Sequence, residues 1–237
     1  MNTEEKPYLE CEKRWVYYAL MTVGGWFGGF TVSLRGGVFC NAQTANVVMM
    51  AVSLGNGEWK RAVYYLIPMS AYFLGAALSE YLSKRVKKLH LLRWDTLLIG
   101  FEILVVFLLG LLPESAPVQI TQVALNFICS MQYNTFRQAE GIPMATTFCT
   151  NHIRLAGVDT VKLLRHKDRD AGRRLIAHGI MLFFFVLGCT GGAVAARFLL
   201  GKSIWLAGLI LLAVFARLVW ADLTYEHNQL YRVPHGH

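Results

Sequence analysis

Long apolar runs alternate with short polar segments along this chain. Six runs reach or approach the roughly 20 residues that a bilayer-spanning helix needs, and they lie at 15–34, 62–82, 97–112, 118–136, 175–198 and 204–223. The apolar residues are continuous within each run, so the runs predict α-helices and not the alternating strands of a membrane barrel. We therefore expect an all-α integral membrane protein, with residues 1–237 forming one membrane domain of about six transmembrane helices.

Two polar stretches interrupt this pattern. The first, 36–48, reads GGVFCNAQTANVV, and the second, 141–153, reads GIPMATTFCTNHI. Each begins with residues that break a helix and leads into a short apolar segment, 47–54 in the first case and up to about Leu163 in the second. Non-helical backbone at membrane depth persists only where protein or a water-filled cavity satisfies its N–H and C=O groups. Each stretch therefore predicts a broken or re-entrant polar helix.

Composition and charge agree with a membrane protein. The chain is 55% hydrophobic and 16% charged, against about 25% charged residues in soluble domains. The net charge of +8 comes largely from Lys and Arg in two basic segments, 83–93 and 164–174. Such clusters between apolar runs are typical of cytoplasmic loops, so we expect no nucleic-acid partner and place both termini in the cytoplasm.

The placement of the two basic segments determines how the second polar stretch is read. If that stretch crossed the membrane, the segments would lie on opposite sides. If it enters and leaves on one side, both segments are cytoplasmic, as the positive-inside rule requires.

An internal repeat fits the re-entrant reading. Asn46 and Asn151 are 105 positions apart, as are Gly36 and Gly141. Repeat 1 covers about 15–112 and repeat 2 about 118–223. Each would contain three spans, which inverts the second repeat relative to the first, as in many transporters.

The two broken helices would point their N-termini at each other near the bilayer centre and form one binding site. A helix N-terminus offers free N–H groups and partial positive charge, which suits a small polar or anionic solute. The candidate binding residues are Gln43, Thr44 and Asn46 on one wall, Thr146, Thr147, Thr150 and Asn151 on the other, and Gln132 and Arg137 at the end of the fourth span. The alternative is that these side chains only tie helices together.

Ionisable residues within spans are costly and usually functional or paired. Glu102 and His178 are therefore candidates for proton coupling, and His178, Arg197 and Arg217 are candidate partners for Glu102. Arg137 and Glu140 have helical i, i+3 spacing and could form an ion pair or a gate. The five cysteines show no CxxC spacing, so we predict no metal site. We expect no cofactor, and without hydrolase, nucleotide-binding or zinc-protease motifs we do not expect an enzyme.

The motifs resemble those of the DUF1275 family of bacterial membrane proteins, also called the YoaK family. The segment FCNAQTANVV at 39–48 is similar to that family's F-x-x-x-x-T-G-N-x-V pattern, with Ala45 where the family has glycine. Gln132, Arg137, Thr146, Thr147 and Thr150 match a second pattern, from which Tyr133 and Asn151 depart. The resemblance implies about six spans and a bacterial inner membrane, and it carries no established activity.

We expect a secondary transporter or channel-like facilitator for a small polar or anionic solute, surrounded by membrane lipid. The alternative function is a non-transporting membrane scaffold or sensor. The sequence is compatible with a homodimer. It does not identify the substrate, the coupling ion or the direction of transport.

Overall fold

A computed structural model describes residues 8–86 and 92–235. Within this part of the chain the fold consists of eight α-helices and one small hairpin. The helices are α1 (Arg14–Leu34), α2 (Gln43–Gly55), α3 (Trp59–Val86), α4 (Trp94–Gly110), α5 (Val118–Thr135), α6 (Thr150–His166), α7 (Arg169–Leu199) and α8 (Ile204–Leu223). Strands β1 (Gln138–Ala139) and β2 (Ile142–Pro143) pair antiparallel between α5 and α6.

Six helices cover the six apolar runs, and α2 and α6 follow the two polar stretches. The short helix after the first stretch begins at Gln43 and not at Val47, so the polar residues Gln43, Thr44 and Asn46 are helical. α3 contains Pro68 and continues past it without a break.

The basic segment 164–174 is mostly helical, which corrects the prediction of a loop. α6 ends only at His166, where Lys167 takes a left-handed conformation with φ of 52°. α7 begins two residues later, because the carboxylate of Asp168 accepts hydrogen bonds from the backbone N–H groups of Asp170 and Ala171 and caps the helix. Of the other basic segment, residues 87–91 lie outside the described residues, and α3 extends to Val86.

α1 packs along α7 through a seam of small residues. A Cβ at Gly25 or Gly29 would overlap the backbone of α7 at Phe185 or Cys189. From the opposite side, a Cβ at Gly188 would overlap the carbonyl oxygen of Thr22. Because glycine lets backbones approach this closely, the seam holds the two helices together by direct main-chain packing.

The remaining helices form a second layer of pairs. α3 packs along α5, where a Cβ at Gly75 would overlap the carbonyl oxygen of Phe127. α4 packs along α8, and the indole of Trp205 donates a hydrogen bond to the carbonyl of Phe107 at 3.1 Å. α2 lies against α3 and α6 lies against α7.

One end of the bundle is closed by buried ion pairs. The Arg93 guanidinium, just before α4, lies 3.1 Å from Asp222 at the end of α8 and 3.3 Å from Glu226. Glu10, ahead of α1, accepts from Tyr225 at 2.7 Å and lies 3.2 Å from Arg217. The start of α1, the start of α4 and the end of α8 therefore meet at this end, which we call the terminal end.

Large apolar side chains cover much of the outer surface of the helices. Phe73, Phe107, Phe183, Phe198 and Leu209 are each more than half exposed. Two stretches, Trp59–Ser83 and Arg169–Leu223, are long and apolar enough to cross a membrane, and the second contains two helices in succession. An apolar exterior of this kind marks a surface that contacts lipid or protein and is consistent with a membrane protein.

Candidate functional site

The loops that lead into α2 and α6 meet at the same point of α1. The Asn41 amide in the first loop donates to the carbonyl oxygen of Gly24 at 3.0 Å. In the second loop, the carbonyl oxygen of Thr146 would lie 2.6 Å from a Cβ built on Gly24. Gly24 is at the middle of α1, so both loops turn back into the centre of the bundle and both short helices begin there.

The first loop is held by amide side chains. The Asn46 side chain accepts from the Phe39 N–H at 3.2 Å and donates to the Phe39 carbonyl at 2.7 Å. The Gln43 amide donates to the side chain of Asn126 in α5 at 2.7 Å. At Gly36 and Gly37 the backbone has positive φ, which ends α1 and sends the chain inward. This loop is therefore fixed against its own helix and against α5.

The second loop follows the β1–β2 hairpin, which turns through Glu140 and Gly141, both with positive φ. The Met144 N–H donates to the Arg137 carbonyl at 2.8 Å and continues the pairing toward the interior. Thr146 and Thr147 come next. Both are fully buried. The Thr146 hydroxyl has no hydrogen-bond partner among the described residues, and the Thr147 hydroxyl interacts only with the Tyr72 side chain that lines the cavity. This loop reaches the centre with polar groups that are not used to hold it there.

A cavity of about 430 Å³ lies between the starts of the two short helices. Its walls come from the first loop and α2, from α3, and from the second loop and α6. The lining residues are Asn41, Ala42, Gln43, Thr44, Tyr72, Phe148, Thr150, Asn151 and Arg154. Amide, hydroxyl and guanidinium groups therefore face a shared space of the size that holds a small solute.

The electrostatics of the cavity favour negative charge. Neither α2 nor α6 has a side-chain hydrogen bond at its N-cap, so the first N–H groups of both helices are left without the usual side-chain acceptor. Both helix ends add partial positive charge. The Arg154 guanidinium donates to the side-chain amide oxygen (Oδ1) of Asn151 at 3.0 Å and brings a full positive charge. None of the lining residues is acidic.

Four of the predicted site residues line the cavity, namely Gln43, Thr44, Thr150 and Asn151. Asn46, Thr146 and Thr147 are buried and are not among the lining residues. Asn46 closes the first loop, as described above. Gln132 is buried in α5, and its amide nitrogen has no partner among the described residues.

Arg137 is not placed at the cavity. Its guanidinium bonds to the carbonyl and side chain of Asn134 and lies 3.8 Å from Glu80 on α3. The predicted i, i+3 pair with Glu140 is wrong, because α5 ends at Thr135 and a hairpin follows. Glu140 instead pairs with Arg14 at 2.7 Å.

The two candidates for proton coupling lie in different surroundings. Glu102 is fully buried in α4, and neither carboxylate oxygen has a hydrogen-bond partner among the described residues. None of its three expected partners bonds to it: Arg217 engages Glu10, and His178 forms a hydrogen bond with His152 in α6, the ring nitrogens being 3.0 Å apart.

From the sequence, Arg154 is as readily a surface residue as a site residue, and Tyr72 and His152 were missed. Tyr72 lies within an apolar run, and the sequence does not say which face of that helix meets the cavity. Arg154 and His152 are three residues and one residue after Asn151. Since residues three apart share a helix face, the predicted contact of Asn151 was a signal for Arg154.

The fold and cavity are those of a helical protein with long apolar stretches and an apolar surface, which fits a membrane protein. The chain belongs to the DUF1275 family, described as a protein of unknown function, whose pattern matches residues 16–217. No curated protein and no solved structure matches this chain.

Proposed function

We propose that this protein is a secondary transporter or channel-like facilitator for a small anionic solute in the bacterial inner membrane. The observation that carries the proposal is the cavity between two uncapped helix N-termini, with Arg154 and no carboxylate among its lining residues. Helix N-termini bind anions because their N–H groups and dipoles converge there.

In this arrangement α1, α3, α4, α5, α7 and α8 cross the membrane, and α2 and α6 start at mid-depth. The first loop and α2 enter from the end of the bundle where α1 stops, and the chain returns to that same end. α3 begins there beside the start of α5, because the Tyr64 hydroxyl near the start of α3 donates to the Gln122 side chain near the start of α5. The second loop and α6 enter from and return to the terminal end, where α7 begins. Gly24 contacts both loops midway.

Matching contacts support an inverted repeat. Gly188 of α7 lies on the carbonyl of Thr22 in α1, and Gly75 of α3 lies on the carbonyl of Phe127 in α5. Thr22 and Phe127 are 105 positions apart, which is the spacing that relates Asn46 to Asn151. In the proposed repeat, the packing of α1 on α7 thus corresponds to the packing of α5 on α3. The packing of α6 on α7 corresponds in the same way to that of α2 on α3.

The orientation follows from the positive-inside rule. α3 ends beside the end of α5, where the Ser79 and Thr135 hydroxyls lie 3.1 Å apart. α7 runs in the same direction as α1, with Tyr18 stacked on Phe184 and Gly29 on Cys189. The described parts of both basic segments therefore lie at the terminal end, with residues 8–14 and 224–235, and we propose that this end faces the cytoplasm.

The scaffold alternative has one observation in its favour. Asn41 and Asn46 direct their amides to the protein backbone and hold the first loop. These two residues are structural in either account. Thr44 and Arg154 separate the two accounts, because both are exposed and neither supports the backbone of a loop.

The test uses purified full-length protein, with thermal stabilisation and liposome flux measured over nitrate, formate, bicarbonate and inorganic phosphate. We expect at least one anion to stabilise the protein and to cross the liposome membrane. Arg154→Gln and Thr44→Val should weaken that response with little change in the unfolding temperature. The matched controls are Arg165→Gln and Thr160→Val, on α6 but not in the cavity lining. No response to any anion, or equal responses in all variants, would contradict the proposal.

A further inference from the structure

Behind the α6 wall of the cavity lies a buried pair of histidines that the binding site itself does not use. His152 is in the first turn of α6, and His178 is on α7. Their Nδ1 atoms are 3.0 Å apart. Both side chains are almost fully buried, with 0% of His152 and 1% of His178 exposed.

The hydrogen bonds of the pair leave one ring nitrogen free to take a proton. His152 Nε2 lies 2.8 Å from the carbonyl oxygen of Ala145 and 3.3 Å from its N–H, so the backbone of Ala145 can serve either tautomer of His152. In the neutral pair one Nδ1 donates to the other. One further proton can bind at a ring nitrogen outside this Nδ1–Nδ1 hydrogen bond. The pair is thus a one-proton acceptor in the protein interior.

The added charge would have no direct counter-ion. The charged groups whose fields reach the pair are Asp159 on α6 and Arg174 on α7. These two groups bond to each other at 3.0 Å, so their charges largely cancel. α1, the other helix packed on α7, presents glycines and the ring of Tyr18 there. A protonated pair is therefore stabilised best by an anion that arrives from elsewhere.

The pair is joined directly to the cavity wall. His152 lies between Asn151 and Arg154, both of which line the cavity. Its ring also bonds to the backbone of Ala145, three residues before the lining residue Phe148. A positive charge on this pair would lie in the same turn of α6 as the lining residues Asn151 and Arg154, and would attract an anion bound there.

The pair occurs in the second repeat only. At the spacing of 105 positions His152 corresponds to Val47, and at the spacing of 113 that relates Gly75 to Gly188, His178 corresponds to Tyr65. A valine and a tyrosine cannot form such a proton acceptor near neutral pH. The proposed proton site thus lies on the α6 side of the cavity and not on the α2 side.

We propose that the His152–His178 pair is a proton-binding site that couples proton uptake to anion binding in the cavity. This inference rests on the proposed function. Coupling is reciprocal: a proton on the pair tightens anion binding, and an anion in the cavity favours protonation. Imidazole is the side chain whose charge changes nearest to neutral pH, and burial disfavours its charged form, so the pair takes up a proton more readily when the anion is bound.

The experiment measures nitrate binding and proton uptake by the full-length protein in detergent between pH 8 and pH 5.5. Nitrate itself does not titrate in this range. We expect nitrate affinity to rise about tenfold on acidification, within the usual range of coupling between sites. We also expect nitrate to draw protons from a weakly buffered solution at pH 6 and none at pH 8. His178→Gln should abolish both effects while nitrate still binds, and His166→Gln, an exposed histidine on the same helix as His152, should abolish neither.

Each outcome separates the two proposals. Nitrate binding that is independent of pH and releases or takes up no proton overturns the coupling and leaves the anion site intact. If nitrate, formate and phosphate all fail to bind at either pH, the proposed function and the coupling both fall. Should His178→Gln not fold, proton uptake by the wild-type protein on nitrate addition decides the matter alone, because its absence contradicts the proposal.

Discussion

The two loops that reach the centre of the bundle follow the same course but use their polar groups differently. In the first loop the amides of Asn41, Gln43 and Asn46 all bond to protein partners. In the second loop the Thr146 hydroxyl has no partner among the described residues, and the Thr147 hydroxyl interacts only with the Tyr72 side chain at the cavity. The first wall of the cavity is therefore fixed, and the second keeps groups available.

This difference assigns separate roles to the two halves. The fixed half positions α2 and sets the size of the cavity. The second half carries the cationic Arg154 and the titratable His152–His178 pair beside the cavity. The lining residues of the first half carry neither a guanidinium nor an imidazole. Three sets of variants test this difference.

The largest effect is expected at the glycine contacts that hold both halves. Gly188→Ala and Gly75→Ala each place a methyl group onto a backbone carbonyl of the neighbouring helix, at Thr22 and Phe127. We expect each to lower the free energy of unfolding by about 3 kcal/mol, the upper part of the usual cost of overpacking. Denaturation in mixed micelles measures it.

The matched control for the glycine contacts is Gly179→Ala in α7, since nothing lies within 4 Å of a Cβ at Gly179. It should leave stability unchanged or raise it slightly, because alanine favours the helix. A large loss at Gly188 with none at Gly75 would show that the two helix pairs are not equivalent and would argue against the repeat.

The second comparison sets Asn46 against Asn151, which correspond in the proposed repeat. Asn46→Ala removes the partners of both backbone groups of Phe39 and should cost about 2 kcal/mol of unfolding free energy, the usual penalty for buried groups left unpaired. Asn151→Ala removes only a bond to the exposed Arg154. It should leave stability within about 0.5 kcal/mol and weaken anion binding. Equal destabilisation by both variants would contradict the separate roles of the two walls.

The smallest change in stability is expected at the threonine hydroxyls of the second loop. Thr146→Val loses no hydrogen bond within the described residues, and Thr147→Val loses only an interaction with Tyr72, so we expect stability changes within about 0.5 kcal/mol. Anion affinity should fall if these hydroxyls turn toward the bound solute. Thr31→Val is the control for stability, because the buried Thr31 hydroxyl bonds to the Phe27 carbonyl at 2.9 Å. A loss of stability at Thr146 equal to that at Thr31 would show that its hydroxyl has a structural partner.

Much of the fold follows from apolar patterning, because a run of continuous apolar residues has few alternatives to a spanning helix. The α8 range 204–223 was predicted to the residue. Basic residues were a poorer guide: the segment 164–174 was taken for a loop because of its charge, yet Arg169 to Arg174 belong to the first turns of α7. Clustered positive charge indicates which side of a membrane a segment faces, and it does not indicate whether that segment is helical.

The sequence predicted several of the residues that line the cavity, but not the side-chain contacts around it. The glycines, amides and hydroxyls of two similar stretches sufficed to place Gln43, Thr44, Thr150 and Asn151 at one cavity. Arg137 was misplaced because the prediction extended α5 past Thr135, where the chain instead forms a hairpin. The partner of His178 could not be read from sequence, since it depends on which face of α6 packs against α7.

The central claim is that an anion binds between the starts of α2 and α6. Anomalous scattering of bromide in crystals of the full-length protein grown from lipid tests it most directly. The account predicts a bromide peak in the cavity, near the first backbone N–H groups of both helices and near Arg154, and a weaker peak there in Arg154→Gln. Bromide found only along the basic segments at the protein surface, with none between the two helix starts, would contradict it.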